Sequence, residues 1–227
     1  MSCDIEAAPG GRVFRVGRAA DPWAWPDWSR AGPDGTFGNR YDDPRGEYRV
    51  LYACSERVGA LIEVLARFRT DPAVAAGLSE VDGDEADAPV ANTVPRKWLA
   101  RRVIGQATLA GRFADVGHSR SLRYLARQLA ALALHFGLDE LDAAAIRLRV
   151  PRGFTQAISR CVYECATDGA AQFAGIRYLS RLGDELVNWA VFERTEQNAI
   201  GGQAAASLES DDRDVRSALE HLGLRLE

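Results

Sequence analysis

The residues best suited to chemistry lie in one stretch, GTFGNRYDDPRGEYRVLYACSERVGALIEVLARFR, residues 35–69. Arg40, at a charged turn, can hold phosphate groups through its forked guanidinium. Tyr52, on the apolar run that follows, can stack on a ring. Glu63, in the amphipathic segment beyond, can accept hydrogen bonds from ribose and stabilise a positive oxocarbenium-like centre. Together these residue types indicate a site for a phosphorylated nucleoside.

Each of these residues also has a purely structural interpretation. Arg40 can pair with Asp42 or Asp43 in a solvated turn, and Tyr52 can be an ordinary core tyrosine. Glu63 is harder to explain in this way, because it lies beside the apolar stripe of its helix. A carboxylate near a core costs free energy unless it has a partner. The pattern by itself leaves both interpretations open.

Other site chemistries find no support in the sequence. The three histidines are far apart, and Cys161 and Cys165 share a helix face without a second pair at zinc spacing. We therefore expect no metal. The segment GGRVFRVGR lacks the ending of a Walker loop and follows no strand, as a dinucleotide fingerprint would require. No G-x-S-x-G elbow is present, so the pattern of an α/β-hydrolase is missing.

Composition limits the class of protein. The chain has 227 residues, 47% of them hydrophobic, and a net charge of −4, which suits one sizeable domain and does not favour direct nucleic-acid binding. No apolar stretch is long enough for a signal peptide or a membrane helix, so we expect no membrane association. Four cysteines in this length do not resemble a disulfide scaffold. We expect packed, reduced thiols in a cytoplasmic protein.

The hydrophobic pattern predicts the elements that hold the candidate residues. Alternation over 47–54 predicts a strand with Tyr48, Val50 and Tyr52 on one face. Apolar residues at helical spacing predict an amphipathic helix after it, which carries Glu63. The remaining predictions are a strand at 12–16, one helix from Ser119 to Gly137, a helix from Pro151, and a hairpin of 173–181 with 187–193. The fold class is α+β.

Several segments connect these elements. DPWAWPDW, after the first strand, is predicted to be a loop because of its prolines, and its tryptophans either cap the core or contact a ligand. The acidic segment after Leu78 is predicted to be an exposed loop. Residues 194–214 are polar and small, which predicts a flexible linker before an amphipathic terminal helix. We therefore expect one domain over residues 1–193, with core motifs at 35–69 and 175–193, followed by a linker and helix over 194–227.

The stretch resembles the leading motif of the RES domain, a family named for its Arg, Glu and Ser. In that motif an Arg-aromatic pair and a Pro/Gly turn precede a strand ending in Leu-Tyr-Ala and a helix with Ala-x-x-Glu. Arg40, Tyr52 and Glu63 match its arginine, tyrosine and glutamate. The later segment GIRYLSR supplies the serine, Ser180, and NWAVFE matches the closing strand. The resemblance covers roughly residues 12–193, and its two halves stand far apart in the right order.

The resemblance implies a fold like that of ADP-ribosyltransferases, with small mixed β-sheets and flanking helices. It also implies that NAD is the substrate, consumed by hydrolysis or phosphorolysis of the nicotinamide–ribose bond. Arg40 would hold the pyrophosphate beside Tyr41, Tyr52 would lie against nicotinamide or its ribose, and Glu63 would act at the ribose. Ser180 would be a polar contact in the NAD pocket. Glu63, Arg40 and Tyr52 are thus the expected catalytic residues.

The same resemblance implies a growth-inhibiting toxin whose partner is an antitoxin with an Xre-like helix-turn-helix region. Two alternatives stay open. The first is an ADP-ribosyltransferase that modifies a protein acceptor, and the second is a non-catalytic interaction module that keeps the fold. A homodimer is also left open. The sequence favours an enzyme only through the joint presence of Arg40, Tyr52, Glu63 and Ser180.

Overall fold

The computed structural model describes residues 3–18, 21–69, 92–148, 150–195 and 197–227. The acidic segment predicted to be a loop after Leu78 lies outside these residues up to position 91. The strands are β1 (Ala7–Pro9), β2 (Arg12–Arg18), β3 (Val50–Cys54), β4 (Thr93–Val94), β5 (Arg102–Leu109), β6 (Arg112–Asp115), β7 (Ala166–Thr167), β8 (Ala170–Ala171), β9 (Gly175–Leu179), β10 (Val187–Phe192), β11 (Ile200–Ser207) and β12 (Arg225–Leu226). The helices are α1 (Arg57–Leu65), α2 (Arg96–Leu99), α3 (Ser119–Gln128), α4 (Ala130–His135), α5 (Arg152–Tyr163) and α6 (Arg213–Leu222).

Eight of the strands form one mixed sheet in the order β1-β6-β9-β10-β3-β2-β5-β11. The pair β6–β9 is parallel and the other pairs in this sheet are antiparallel. Two short sheets, β12–β4 and β7–β8, complete the strand pairing of the described residues. Helices flank the large sheet, so the predicted α+β class is confirmed. The predicted hairpin is also confirmed as β9 and β10.

The large sheet is nearly divided between β2 and β3. Within the described residues these two strands meet at one register position, where Phe14 lies opposite Cys54. On one side of this point β3 pairs along its length with β10. On the other side β2 pairs along its length with β5. The sheet therefore opens beside the Phe14–Cys54 contact, and this opening becomes important below.

The alternation predicted for β3 holds in the structure. Val50 belongs to the buried cluster that also contains Ile158 of α5, and the partly buried Tyr52 packs against this cluster. Leu51 and Ala53 belong to a separate cluster on the opposite face of the strand. Helix α1 buries Leu61, Ile62 and Leu65 in a third cluster, together with residues of β2, β5 and α6. Burial of these apolar faces fixes α1 against the sheet.

Three expectations from the sequence are corrected here. The predicted linker over 194–214 contains β11, which pairs with β5 at the edge of the large sheet. The predicted helix over 119–137 is two helices, α3 and α4, because Leu129 between them leaves helical geometry with φ −114° and ψ 15°. Helix α6 is present as predicted, but it packs on α1, so the fold continues beyond the expected domain end at residue 193.

The expectation of reduced, packed thiols is wrong for one pair of cysteines. Cys3 and Cys165 form a disulfide across a sequence separation of 162 residues. The N-terminal strand β1 lies beside β6, and this path brings Cys3 to the end of α5. Cys54 and Cys161 are free, as expected. Among the described helices, none is long and apolar enough to cross a membrane.

Candidate functional site

A cavity of about 1260 Å³ lies where the sheet opens between β2 and β3. Strand β2 forms one wall, and residues of β3, β9 and β10 form another. Helix α1 contributes Glu63, and the charged turn before β3 contributes Arg40. Arginines outnumber carboxylates on the described wall, so the cavity is electropositive and suits an anionic ligand.

The sheet register places three polar side chains on the cavity side. Asn188 of β10 lies opposite Tyr178 of β9 and opposite Cys54 of β3. Tyr52 stands two residues before Cys54, so it shares their face of the sheet. Tyr52, Tyr178 and Asn188 all line the cavity. Neighbouring antiparallel strands thus bring together residues that are far apart in the sequence.

Glu63 faces this sheet from α1 and is held by two uncharged donors. Ser180 Oγ donates a hydrogen bond of 2.5 Å to Glu63 Oε1, and Asn188 Nδ2 donates one of 2.7 Å to the same oxygen. Both donors are buried, whereas Glu63 itself is exposed to the cavity. No donor of the described residues occupies Oε2. The carboxylate is therefore fixed in place through Oε1, and Oε2 is left for a ligand.

A glycine permits the close approach of α1 to β3. A Cβ atom at Gly59 would lie 2.4 Å from Cys54 Sγ, far inside van der Waals contact. Gly59 is one turn before Glu63 on α1, so the distance of this helix from β3 also sets the distance of the carboxylate from Asn188. A side chain at Gly59 would force Cys54 or α1 to shift, so glycine permits the observed packing.

Arg40 is free of the carboxylates with which the sequence could have paired it. Its Nη2 donates a hydrogen bond of 3.1 Å to the carbonyl of Arg147, and its guanidinium lies 5.8 Å from the ring centroid of Tyr178. Asp42 and Asp43 bind other groups, and no carboxylate of the described residues forms an ion pair with Arg40. The surface-turn interpretation of Arg40 is therefore not what the structure shows. Its charge remains available at the cavity wall.

Tyr52 fixes the turn that carries Arg40. Its hydroxyl donates to Asp42 Oδ1 at 2.8 Å and accepts a hydrogen bond of 2.9 Å from the backbone N–H of Tyr41. Asn39 donates from its backbone and its side chain to the other oxygen of Asp42. Burial raises the pKa of Asp42 above its ordinary value, and it raises the pKa of Tyr52 well above 10. Tyr52 thus both lines the cavity and holds Arg40 in position.

Tyr41 was predicted to contact NAD, and the structure does not place it at the cavity. Its side chain is completely buried, with its ring centroid 4.8 Å from that of Tyr178. Its hydroxyl has no hydrogen-bond partner among the described residues. The sequence motif joins it to Arg40, but the tight turn directs the two neighbouring side chains apart. Tyr41 is therefore a core residue beneath the site.

Ser180 lies behind Glu63 and does not line the cavity. Its side chain is 1% exposed, and its Oγ accepts a hydrogen bond from the backbone N–H of Leu182 while donating to Glu63. The residue predicted as a pocket contact is thus placed to hold Glu63. Arg40, Tyr52 and Glu63 reach the cavity themselves.

Several wall residues were missed by the sequence reasoning. Asn188 was overlooked because a single asparagine in a short strand gives no motif. Successive residues of a strand point to opposite faces of the sheet, so Asn188 and Trp189 lie on opposite faces, and Asn188 shares the face of Tyr52. Trp25 lines the cavity, whereas Trp23 of the same loop is buried in the core, so both interpretations of that loop hold in part. Other wall residues that were missed include Arg15, Arg18, Arg67, Trp98, Arg102, Arg152 and Tyr178.

No group of histidine, cysteine and carboxylate side chains that could hold a metal ion is found in the described part of the chain. The described wall carries several arginines and three carboxylates, and Glu63 is the carboxylate that Ser180 and Asn188 fix beside the sheet. This combination can bind the phosphates of a ligand and place a negative charge against a centre that becomes positive.

The RES domain model matches residues 12–214. The chain belongs to the RES domain family. The match spans both motif segments and extends through β11, beyond the expected domain end at Glu193. No curated protein matches this chain.

One solved structure similar to this fold is the M. tuberculosis MbcT-MbcA toxin-antitoxin complex. The matched chain has 12% sequence identity and a TM-score of 0.48, and the match covers 98% of this RES chain and 92% of the other. A similarity at this level carries no inference about what the present chain does.

Proposed function

We propose that this RES domain is an enzyme that consumes NAD by breaking the bond between nicotinamide and its ribose, and that it acts as a toxin. The observation that carries the proposal is the carboxylate of Glu63, held through Oε1 by Ser180 and Asn188 with Oε2 left for a ligand. It stands in an electropositive cavity that Arg40 also lines, and Arg40 has no ion-pair partner among the described residues. Membership of the RES domain family supports the same conclusion.

The chemistry assigns a separate task to each residue. Arg40 binds the diphosphate of NAD through its guanidinium. When the bond between the ribose C1′ and the nicotinamide nitrogen breaks, the electron pair leaves with neutral nicotinamide, and positive charge develops on the ribose. Glu63 stabilises that charge, and because its oxygen is already fixed, it needs no reorganisation at the moment of reaction. An acceptor oxygen then attacks C1′ and gives up its proton.

The acceptor can be water, phosphate or a protein side chain, and each leaves a different product. Water gives ADP-ribose, phosphate gives ADP-ribose 1″-phosphate, and a protein acceptor retains the ADP-ribose. As a toxin, the chain would be kept inactive by an antitoxin partner, which the family resemblance suggests is Xre-like. The partner would have to block access to the cavity, since NAD must enter there.

Incubation of the purified protein with NAD, with and without inorganic phosphate, tests this proposal. We expect free nicotinamide to accumulate, and chromatography of the second product identifies the acceptor. If NAD stays intact under both conditions and expression of the chain does not slow growth, the chain is a binding module and the proposal is wrong. Labelled ADP-ribose on a protein of the host lysate would instead identify a transferase.

A further inference from the structure

A second group of cations lies on the wall of the same cavity. Arg18, Arg67 and Arg102 all line it, and we call them the Arg18 cluster. Arg18 and Arg102 are directly opposite each other in the β2–β5 ladder. Arg67 lies in the 3-10 turn Ala66–Phe68 that follows α1, four residues after Glu63. The cluster is thus built by two neighbouring strands and the turn at the end of α1.

The Arg18 cluster is unfavourable for the protein alone. Like charges directly opposite each other on antiparallel strands destabilise the pair. No carboxylate of the described residues forms an ion pair with any of the three arginines. The pKa of Arg102 is lowered, first by burial and then by the charges of Arg18 and Arg67. A bound anion would relieve this repulsion, so the arrangement indicates a ligand and not a structural role.

An aromatic surface adjoins the Arg18 cluster. Trp98 lines the cavity, and the guanidinium of Arg102 lies 5.1 Å from its ring centroid. Phe68 packs edge-on against Trp98, with ring centroids 5.2 Å apart, and steadies it. Aromatic rings stack on nucleobases, and arginine forks bind phosphate. An arginine beside the adenosine ribose is also the feature that accommodates the 2′-phosphate of NADP.

Arg40 and the Arg18 cluster are two separate groups among the arginines of the described wall. Arg40 stands beside Tyr178 on the β9–β10 side, and the Arg18 cluster stands on the β2–β5 side. One diphosphate needs one of these groups. A dinucleotide with an additional phosphate would use both, and 1260 Å³ is ample space for such a ligand.

We propose, on the basis of the function proposed above, that the cavity prefers the phosphorylated dinucleotide NADP, with the 2′-phosphate held by the Arg18 cluster and the adenine against Trp98. The substrate class of this RES domain is then narrower than nicotinamide dinucleotides in general. Arg67 and Arg102 are specificity residues, since they distinguish two ligands that are identical at the bond to be broken.

Titration calorimetry with ADP-ribose and 2′-phospho-ADP-ribose tests this proposal, because neither ligand can be cleaved at the nicotinamide bond. We expect the wild-type protein to bind the phosphorylated ligand about 10- to 100-fold more tightly. Arg102→Gln and Arg67→Gln should each remove most of this preference, because each should weaken binding of 2′-phospho-ADP-ribose far more than binding of ADP-ribose. Arg101→Gln is the matched control, since Arg101 is an exposed neighbour that does not line the cavity.

Equal affinity of the wild-type protein for the two ligands would overturn the proposal. An equal loss of affinity for both ligands in the variants would also overturn the proposal, because the Arg18 cluster would then hold the diphosphate that both ligands share. A titration with inorganic phosphate tests whether the Arg18 cluster binds free phosphate instead of the 2′-phosphate of a dinucleotide. Binding of free phosphate that is lost in Arg102→Gln, without a preference for 2′-phospho-ADP-ribose, would assign the cluster to phosphate itself and overturn the NADP assignment.

Thermal melting shows whether each variant is folded. If Arg102→Gln is not folded, Arg67→Gln carries the test, because Arg67 is exposed. The outcome is independent of turnover. A protein that prefers 2′-phospho-ADP-ribose but cleaves no dinucleotide would contradict the proposed function and leave this inference standing.

Discussion

Glu63 owes its fixed position to two uncharged donors, and this makes Asn188 a positioning residue for the proposed reaction. Asn188→Ala removes a hydrogen bond to a charged group, so we expect turnover to fall about 10- to 100-fold. The dissociation constant for NAD should stay nearly unchanged, because the charge of Glu63 remains. Steady-state kinetics and calorimetry measure the two quantities.

Ser180→Ala should act in the same direction, since Ser180 binds the same oxygen of Glu63. Ser217→Ala, on the exposed face of α6, is the control and should change neither quantity. A loss of NAD affinity in Asn188→Ala at unchanged turnover would mean that Asn188 contacts the ligand and does not position Glu63.

Two neighbouring tyrosines make a matched pair for the turn that carries Arg40. Tyr52→Phe leaves a buried oxygen of Asp42 without its donor, so we expect a loss of about 1–3 kcal/mol in the free energy of unfolding and weaker NAD binding. Tyr41→Phe removes a buried hydroxyl that has no partner among the described residues, so stability and NAD affinity should be unchanged or slightly higher.

Chemical denaturation and calorimetry compare the two variants. Weaker NAD binding in Tyr41→Phe, at unchanged stability, would identify Tyr41 as a ligand contact and contradict its assignment as a core residue.

The motif residues were identified from the sequence through their order and spacing. An arginine at a charged turn and a carboxylate beside an apolar stripe drew attention to the stretch, and the match to the two-part RES motif decided the assignment. Asn188 and the Arg18 cluster could not be found in that way, because arginine is common along this chain. Their meaning depends on register: Asn188 matters because it lies opposite Tyr178, and Arg18 because it lies opposite Arg102.

At the level of elements, the start of α1 is tied to the start of α6. Arg57 forms ion pairs with Asp212 and Asp214, at 2.5 Å and 2.6 Å. Asp212 also caps α6 by accepting from the backbone N–H of Asp214. Because α1 carries Glu63, this contact links the C-terminal helix to the site.

The hydrogen bond from Arg57 lowers the pKa of Asp212 below its ordinary value of 3.8. A lowered pKa means that this pair stabilises the fold above pH 3.8 and that its contribution is lost as the pH falls through the folded pKa. Asp212→Asn keeps a capping side chain but removes the charge. We expect it to lower the free energy of unfolding by about 1–3 kcal/mol at pH 7.

The difference in the free energy of unfolding between wild type and Asp212→Asn should become smaller as denaturation is repeated at lower pH, toward pH 3. Glu209→Gln, an exposed carboxylate nearby, is the control. A difference that persists unchanged at pH 3 would show that the charge of Asp212 is not the source of the stabilisation.

Elements with a strong apolar pattern were predicted well, and those without one were not. Strand β3, helix α1 and the β9–β10 hairpin bury a face and therefore show a period in the sequence. Strand β11 has the sequence IGGQAAAS and is exposed along nearly its whole length, so it has no period that could predict it. It exists because β5 offers an unpaired edge.

For the whole molecule, the structure changes the expectation for the C-terminal segment. Val215, Ala218, Leu219 and Leu222 of α6 are buried in the same cluster as Leu61 of α1. Removing residues 194–227 would expose that face and the edge of β5. We expect the truncated protein to be insoluble or to lack a cooperative thermal transition, although the linker-like composition of this segment suggested that the chemistry could do without it.

A smaller change tests the same idea. Leu219→Ala should lower the free energy of unfolding by about 2–5 kcal/mol, and Ser217→Ala, on the exposed face of α6, should not. A soluble truncated protein that melts cooperatively and cleaves NAD at the rate of the full chain would show that residues 1–193 are complete in themselves.

The central claim concerns the charge of Glu63, and nicotinamide release measured beside NAD binding tests it most directly. Glu63→Gln keeps the shape of the side chain but removes the charge that should matter when the ribose becomes positive. We predict that nicotinamide release from NAD falls about 100- to 1000-fold while the NAD dissociation constant changes little. Near-normal release by folded Glu63→Gln protein would contradict the account.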